Sequence, residues 1–157
     1  MSSAQSSLTP EQVDPRSPRF GAGITSVLLA LILILGPGSV AGLVVLIIQT
    51  LAFAAGSLLG LKSQPWGLIY RQFVRPRLGP PAELEDARPP RFAQTVGLVF
   101  ALGGLAGWIF ELPVLFYVAV GFALVAALLN AVFDFCLGCE IYLLAKRLSG
   151  RSASTVG

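Results

Sequence analysis

Residues Phe20–Leu61 read FGAGITSVLLALILILGPGSVAGLVVLIIQTLAFAAGSLLGL, a long apolar run without a single charge. One straight helix of that length would measure about 63 Å, twice the roughly 30 Å hydrocarbon core of a bilayer. Gly36-Pro37-Gly38 interrupts the run, because a proline between two glycines removes a backbone donor and permits a tight turn. The stretch therefore predicts a hairpin of two membrane-spanning helices, at about 20–35 and 39–61.

The composition of the whole chain also indicates a membrane protein. Of its 157 residues, 55% are hydrophobic and only 12% are charged, whereas about 25% charged residues is usual in soluble domains. The net charge of +3 comes from basic residues that flank the apolar runs, so nucleic acid is not expected as a partner. The chain has no histidine, the commonest metal ligand, and we expect no cofactor and no metal site within one chain.

The second half of the chain repeats the plan of the first. Two further spans are predicted at about 92–110 and 113–137, joined by a short turn at Glu111-Leu112-Pro113. Gly103-Gly-Leu-Ala-Gly107 fits the small-xxx-small pattern of closely packed helices, although glycine is frequent in membrane helices generally. The predicted organisation is a disordered cytoplasmic tail (1–19), a four-helix transmembrane domain (20–148) with a cytoplasmic loop (62–91), and a disordered tail (149–157).

An internal repeat is visible in the polar segments before the first and third spans. Asp14-Pro-Arg-Ser-Pro-Arg-Phe20 matches Asp86-Ala-Arg-Pro-Pro-Arg-Phe92, and the offset that relates Asp14 to Asp86 also pairs Tyr70 with Tyr142. The match predicts two tandem helical hairpins as a parallel repeat. The arginines of these segments are interpreted as lipid-phosphate anchors, with a pair of cytoplasmic docking sites as the alternative.

Within the loop, the spacing of Trp66, Ile69, Tyr70 and Phe73 predicts a short amphipathic helix at the membrane surface or an aromatic belt at the end of the second span. All eleven basic residues fall on one side of the four predicted spans. The positive-inside rule then places both termini and the loop in the cytoplasm, and we expect a multi-pass protein of the cell (inner) membrane.

Cys136-Leu137-Gly138-Cys139-Glu140 holds the only two cysteines, near the end of the last apolar run. C-x-x-C is a redox or metal-binding spacing of modest specificity. On a helix the two Cα atoms can approach the roughly 4.4–6.8 Å that a disulfide requires. The alternative is that both cysteines are small apolar residues that stay inert in a reducing cytosol.

Asp134 lies just inside the predicted end of the fourth span, one turn from Asn130. An acidic side chain in a membrane helix is costly and is therefore a candidate for function, unless it lies at the interface and pairs with Arg91 or Arg147. The candidate catalytic residues are accordingly Cys136 and Cys139 as a redox pair and Asp134 as a proton acceptor. The helix-dipole effect on the thiols stays open, because its sign depends on whether Gly138 breaks the helix.

Two motifs together carry a family resemblance over about residues 14–148. They are RQFVRPRLGPPAELEDARPPRFAQ (Arg71–Gln94) and CLGCEIY (Cys136–Tyr142). With these motifs the sequence resembles the actinobacterial membrane proteins grouped as domain of unknown function 4395, which have no established biochemical role. The resemblance implies a thiol or sulfur-relay role for Cys136 and Cys139, with a thioredoxin-like or sulfur-transfer protein as the partner.

Three functional hypotheses follow from the sequence. The first is a multi-pass membrane protein that takes part in thiol–disulfide or sulfur-relay chemistry through a cytoplasm-facing C-x-x-C, more a partner than an enzyme. The second is a non-enzymatic scaffold or assembly subunit of a larger membrane complex, with glycine-rich faces as its interfaces. The third is a permease for small solutes or anions that works as a homo-oligomer, with Asn130 and Asp134 in the pore.

Overall fold

The computed structural model describes residues 11–156, and the side chains of residues 11–150. Apart from one pair of very short strands, the regular structure in this part of the chain is helical. The elements are β1 (Gln12–Val13), α1 (Arg16–Leu35), α2 (Val40–Ala54, continued by a π-helical turn, Ala55–Leu59), a 3₁₀ turn (Leu61–Ser63), α3 (Pro65–Ile69, continued by a π-helical turn, Tyr70–Val74), α4 (Arg75–Leu78), β2 (Glu85–Asp86), α5 (Arg88–Ile109), α6 (Pro113–Phe133) and α7 (Leu137–Val156).

Four helices are long and apolar enough to cross a membrane: α1, α2 with its π-helical turn, α5 and α6. Many of their large apolar side chains point outward, and Ile34 and Val114 are 81% and 74% exposed. Such surfaces are stable in contact with lipid and costly in contact with water. The predicted all-α membrane fold with four spans is therefore confirmed.

Both predicted turns between consecutive spans are present. Gly36 and Gly38 have φ angles of 76° and 98°, a region that favours glycine, and this lets the chain reverse between α1 and α2. Ser39 then caps α2, its Oγ accepting a hydrogen bond of 3.2 Å from the backbone N–H of Gly42. At the second turn, Glu111 adopts φ 55° and the N–H of Leu112 donates to the carbonyl of Gly107 at 2.8 Å.

The core of the bundle lies between all four spans and includes the buried side chains of Leu29, Ile32, Leu46, Phe116 and Val120. Helices α5 and α6 approach closely at the glycines of the small-xxx-small pattern. A Cβ atom on Gly107 would lie only 2.5 Å from the backbone nitrogen of Phe116, and one on Gly103 would lie 3.2 Å from the Cβ of Ala119. The predicted role of these glycines in close helix packing is thus observed.

Two arginines link the ends of different spans through hydrogen bonds. Arg19, in the first turn of α1, donates to the carbonyls of Ala131 and Val132 at the end of α6, at 3.1 and 3.4 Å. Arg91, in the first turn of α5, donates to the carbonyls of Ser57 and Leu58 at the end of α2, at 2.9 and 3.1 Å. These contacts satisfy carbonyls that a helix end leaves unpaired. They differ from the predicted lipid contacts and gather four helix ends at one end of the bundle.

The parts of the two tails that the structure describes contain regular secondary structure, where the sequence predicted disorder. Residues 1–10 lie outside the described residues, but β1 pairs antiparallel with β2 in the register Gln12↔Asp86 and Val13↔Glu85. Its backbone groups thereby find partners that composition alone does not reveal. At the other end of the chain, α7 continues to Val156, so residues 149–156 are helical.

Candidate functional site

The chain breaks between the fourth span and the two cysteines. Helix α6 ends at Phe133, and Asp134 follows in the left-handed conformation, with φ 55° and ψ 29°. The N–H of Phe135 then donates to the carbonyl of Leu129 at 3.1 Å and closes the helix. The fourth span therefore ends before the predicted residue 137, because a left-handed residue cannot continue a right-handed helix.

Cys136 occupies the residue immediately before α7 and acts as its N-cap. Its Sγ accepts a hydrogen bond of 3.3 Å from the N–H of Cys139, and its carbonyl accepts one of 3.0 Å from the N–H of Glu140. Cys136 and Cys139 are joined by a disulfide, with their Cα atoms 5.1 Å apart. The C-x-x-C sequence therefore spans the first turn of a new helix and does not lie inside the last span.

This position decides the sign of the helix-dipole effect that the sequence left open. The first turn of a helix carries a partial positive charge, which stabilises an anion placed at the N-cap. Cys136 precedes a helix of 20 residues, so its thiolate is favoured when the pair is reduced. Glu140, an acidic residue in the first turn, opposes this effect from an exposed position. Both cysteines are partly exposed and within reach of a partner.

Gly138, between the two cysteines, holds the start of α7 against α5. It is buried, and a Cβ atom at this position would lie 2.7 Å from both the Cα and the Cβ of Ala93. Only a residue without a side chain fits such a contact. The Cys136–Cys139 disulfide is therefore held against the beginning of the third span.

A cavity of about 200 Å³ lies next to the disulfide, between the spans and the start of α7. Cys136, Leu137 and Gly138 belong to its lining, and most of its other lining residues are alanine, phenylalanine and aliphatic side chains. No aspartate, glutamate, lysine or arginine of the described chain lines it. The cavity is therefore suited to a neutral, mainly apolar molecule.

Two amide side chains, Gln94 and Asn130, are among the polar groups of this cavity. Gln94 Oε1 is buried without a hydrogen-bond partner. Within residues 11–150, neither the Gln94 Nε2 nor the side-chain amide of Asn130 makes a hydrogen bond. A buried polar atom usually has a hydrogen-bond partner, so the unpaired Gln94 Oε1 is available to a bound molecule, and the half-buried amide of Asn130 lines the same cavity.

Asp134 is separated from this cavity. Its spacing from Asn130 predicted a shared helix face, but the left-handed turn removes Asp134 from α6, and only Asn130 lines the cavity. Asp134 is exposed, and the ion pairs between described residues involve Asp14 and Asp86. The alternative pairing of Asp134 with Arg91 or Arg147 is therefore not observed in this part of the chain.

A buried carboxylate lies at the same end of the bundle. Asp14 is 6% exposed, accepts hydrogen bonds from Arg16, and accepts another from the hydroxyl of Tyr70 at 3.0 Å. Burial raises the pKa of Asp14, but these hydrogen bonds outweigh it and hold that pKa below its usual value. Burial and the contact with Asp14 raise the pKa of Tyr70. Tyr70 is therefore part of the protein interior, although the sequence pattern placed it at the membrane surface.

Several contacts recur at the offset that relates Asp14 to Asp86. The rings of Phe20 and Tyr70 lie 5.7 Å apart, as do those of Phe92 and Tyr142. The ion pair of Asp14 with Arg16 has its counterpart in that of Asp86 with Arg88.

The capping of α7 by Cys136 has a counterpart as well. Gln64 corresponds to Cys136 at the same offset and caps α3, its Oε1 accepting a hydrogen bond of 2.8 Å from the N–H of Gly67. Gly67 is the residue that corresponds to Cys139. Gln64 and Cys136 therefore start their helices in the same way, and only the second of the two caps is a sulfur atom.

Comparison with known protein families gives one match. A family model described as Domain of unknown function (DUF4395) matches residues 13–147. The chain belongs to this family. The match confirms the resemblance read from the two motifs, and it does not bear on the actinobacterial origin, which stays a prediction. No curated protein and no solved structure matches the chain.

In this DUF4395 protein, sequence reasoning found the cysteines but missed Gln94 and the cavity. Gln94 and Gln49 are amides within predicted apolar helices, and Gln49 is fully buried with its Nε2 donating to Thr25 Oγ1 at 3.2 Å. An amide in such a helix is costly, and that cost was the signal available in the sequence. Among the described residues of the DUF4395 chain, no group of three or more His, Cys, Asp and Glu side chains is arranged to hold a metal ion.

Proposed function

We propose that this DUF4395 protein carries out thiol–disulfide exchange at a membrane, with Cys136 and Cys139 cycling between disulfide and dithiol. The observation that carries the proposal is the position of the disulfide across the first turn of α7, with the Cys136 sulfur as the N-cap. Sulfur at a helix N-terminus forms a stabilised thiolate, the reactive form in exchange. The partial exposure of both cysteines gives a partner protein access to them.

The exchange begins with a thiolate of the partner, which attacks the sulfur of Cys139. The Cys136–Cys139 bond breaks, a mixed disulfide forms at Cys139, and the electron pair of the broken bond leaves on Cys136. Cys136 is the better leaving group because the start of α7 stabilises its thiolate. A second thiol of the partner then displaces Cys139, so that the partner is oxidised to a disulfide and the pair is reduced to a dithiol. Asp134, two residues before Cys136, is the proposed acceptor of the proton that each partner thiol loses when it attacks, and the two protons end on the reduced pair.

The proposed partner is a thioredoxin-like or sulfur-transfer protein of the cytoplasm. The cysteine pair lies at the end of the bundle where Arg19 and Arg91 donate hydrogen bonds to the last carbonyls of α6 and α2. This end also carries the basic residues nearest to the spans. By the positive-inside rule we place this end in the cytoplasm, in the inner membrane.

We also propose that the chain is an internal repeat in which only the second half is reactive. The contacts that recur at the offset from Asp14 to Asp86 support the repeat, and the caps formed by Gln64 and Cys136 support equivalent helix starts. In the first half, the side-chain amide of Gln64 caps the helix start and has no thiol that could take part in exchange. The first half then serves as support for the second.

The experiment is to expose the oxidised protein, in nanodiscs, to reduced glutathione. A mixed disulfide with glutathione is expected to form on Cys139. Rapid quenching with iodoacetamide alkylates the Cys136 thiolate before it can displace the glutathione, so that fragmentation mass spectrometry can locate both groups. The Cys136→Ser, Cys139→Ser double variant is the control that cannot react. A disulfide that glutathione leaves intact would exclude the exchange function and favour the scaffold hypothesis. An Asp134→Asn variant is expected to form the mixed disulfide more slowly, and an unchanged rate would remove Asp134 from the mechanism.

A further inference from the structure

We propose that the cavity beside the disulfide binds the ring of a membrane quinone, which accepts the two electrons of the reduced cysteine pair. This inference rests on the proposed exchange function and names the second substrate of the same site. It starts from the arrangement of Cys136, which both caps α7 and lines the cavity, whereas Cys139 is not among the lining residues. Cys136 therefore borders the cavity, while Cys139 is left for the thiol partner.

The size and lining of the cavity fit one substituted ring. An apolar cavity of about 150 Å³ holds a benzene molecule, and the volume here is about 200 Å³. Phe100 and Phe122 are stacked in its wall, with their ring centroids 6.1 Å apart and 25° between their planes. Aromatic walls of this kind favour a flat ring as the occupant.

The polar groups of the cavity fit the carbonyl oxygens of a quinone. A quinone ring is neutral and carries two hydrogen-bond acceptors, and the lining includes no charged carboxylate, amine or guanidinium group of the described chain. Gln94 and Asn130 are the two amides of this lining, and neither uses its N–H groups in a hydrogen bond within residues 11–150. Each can donate to one carbonyl, and Gln94 Oε1, buried without a partner, can accept the proton of a quinol hydroxyl.

One wall of the cavity also belongs to the outer surface of the bundle. Phe122 lines it and is nevertheless 60% exposed, on the outer face of α6 and near the middle of that span. A membrane quinone carries a long apolar tail that has to remain in the bilayer. A ring that enters past Phe122 leaves its tail in lipid, an arrangement that a soluble carrier would not need.

The electron transfer balances within these groups. The Cys136 thiolate adds to a ring carbon of the quinone, and the Cys139 thiolate then attacks the Cys136 sulfur. The S–S bond forms, the C–S bond breaks, and its electron pair leaves with the ring, which takes up the two protons lost by the thiols. Two thiols are oxidised to one disulfide, and one quinone is reduced to one quinol.

The test uses the full-length reduced protein in anaerobic nanodiscs with decylubiquinone, a benzoquinone whose fully substituted ring does not arylate thiols irreversibly. Loss of quinone absorbance and formation of the disulfide are followed together, the latter with a thiol-alkylating mass tag. We expect one quinone reduced for each disulfide formed. We expect Ala126→Phe, which fills the cavity, to slow the reaction by more than about tenfold, and Leu128→Phe, an exposed position of the same helix, to leave it unchanged.

A second variant tests the hydrogen bond without filling the cavity. Gln94→Leu keeps the approximate volume and removes the donor, and we expect the quinone concentration for half-maximal rate to rise about two- to tenfold. Its oxidation by oxidised glutathione should keep the wild-type rate. An unchanged quinone dependence in both Gln94→Leu and Ala126→Phe would exclude the cavity as the binding site.

Oxidised glutathione also separates the two proposals. If it oxidises the wild-type pair and decylubiquinone does not, the quinone proposal is overturned and the exchange function stands. If neither oxidant forms the disulfide, both proposals are overturned. If both oxidants work and only the quinone reaction is blocked by Ala126→Phe, both proposals are supported.

Discussion

The sulfur of Cys136 accepts a hydrogen bond of 3.3 Å from the backbone N–H of Cys139, so one member of the disulfide caps the helix that contains the other. The two cysteines are therefore not equivalent. Cys136 lies before the first turn of α7 and beside the cavity, while Cys139 lies within that turn. This difference predicts unequal reactivity once the pair is reduced.

We expect Cys136 to be the more reactive thiol. In a Cys139→Ser variant, Cys136 keeps its place at the N-terminus of α7, where the dipole and free N–H groups stabilise the thiolate. The rate of alkylation by iodoacetamide should then be higher near neutral pH than in the matched Cys136→Ser variant. The measurement is the alkylation rate of each variant as a function of pH. Faster alkylation of Cys139 would contradict the assigned helix-start position.

The hydrogen bonds that Asp14 accepts from Arg16 and Tyr70 are expected to stabilise the fold. Asp14→Asn removes a buried charged acceptor from Arg16 and Tyr70, at a cost of about 1–3 kcal/mol in the free energy of unfolding. The matched control is Asp86→Asn, whose partner Arg88 has a half-exposed side chain and for which we expect less than about 1 kcal/mol. Denaturation of both variants in detergent measures the difference. Equal losses of unfolding free energy in the two variants would show that the burial of Asp14 adds no stability.

The contribution of the Asp14 carboxylate to stability depends on pH in a defined direction. The pKa of Asp14 is lowered in the folded protein, by hydrogen bonds that outweigh the effect of burial. Its stabilising effect is therefore complete above the unfolded-state pKa of about 3.9 and is lost as the pH falls through the lower folded-state value. The stability difference between wild type and Asp14→Asn should be constant from neutral pH to about pH 5 and should shrink below about pH 4. A difference that grows on acidification would contradict this assignment.

Close packing of α5 on α6 depends on Gly107. An alanine there would place its Cβ 2.5 Å from the backbone of Phe116, so the helices would have to move apart. We expect Gly107→Ala to lose about 1–3 kcal/mol, the usual cost of overpacking. Gly121→Ala is the control, since a Cβ at Gly121 meets no atom within 4 Å. Unfolding titrations of the two variants in mixed micelles compare them, and similar stabilities would argue against the close contact.

The spans could be read from the sequence because the bilayer imposes a simple requirement on length and hydropathy. Gly36-Pro37-Gly38 marked the first turn for an equally local reason, the φ angles that only glycine adopts readily. The start of α7 could not be read in this way. It depends on the left-handed conformation of Asp134 and on the contact of Gly138 with Ala93, two residues that are distant in the sequence.

The site was predictable in its residue types and not in its geometry. C-x-x-C identified the two cysteines that form the disulfide, but a cavity is formed by side chains from separate helices, and nothing local in the sequence encodes it. The roles of Arg19 and Arg91 illustrate the same limit. Basic residues beside a span suggest lipid contacts, whereas here each donates to carbonyls at the end of a distant helix.

The orientation of the chain gives a further prediction. With the basic end of the bundle in the cytoplasm, a membrane-impermeant maleimide should label the reduced cysteines in inside-out vesicles and not in intact cells. Detergent-solubilised protein, in which both sides are open, is the control for complete labelling. Labelling in intact cells would place the redox pair on the outer side of the membrane.

The central claim is that Cys136 and Cys139 form a reversible redox pair. The most direct measurement is a titration of the protein in isolated membranes against a series of glutathione redox buffers, with the free thiols quenched by a mass tag at each point. We expect a single two-electron transition between species that carry no tag and two tags, the same in both directions of the titration. Two free thiols in every buffer, with no disulfide at any ratio of oxidised to reduced glutathione, would contradict it.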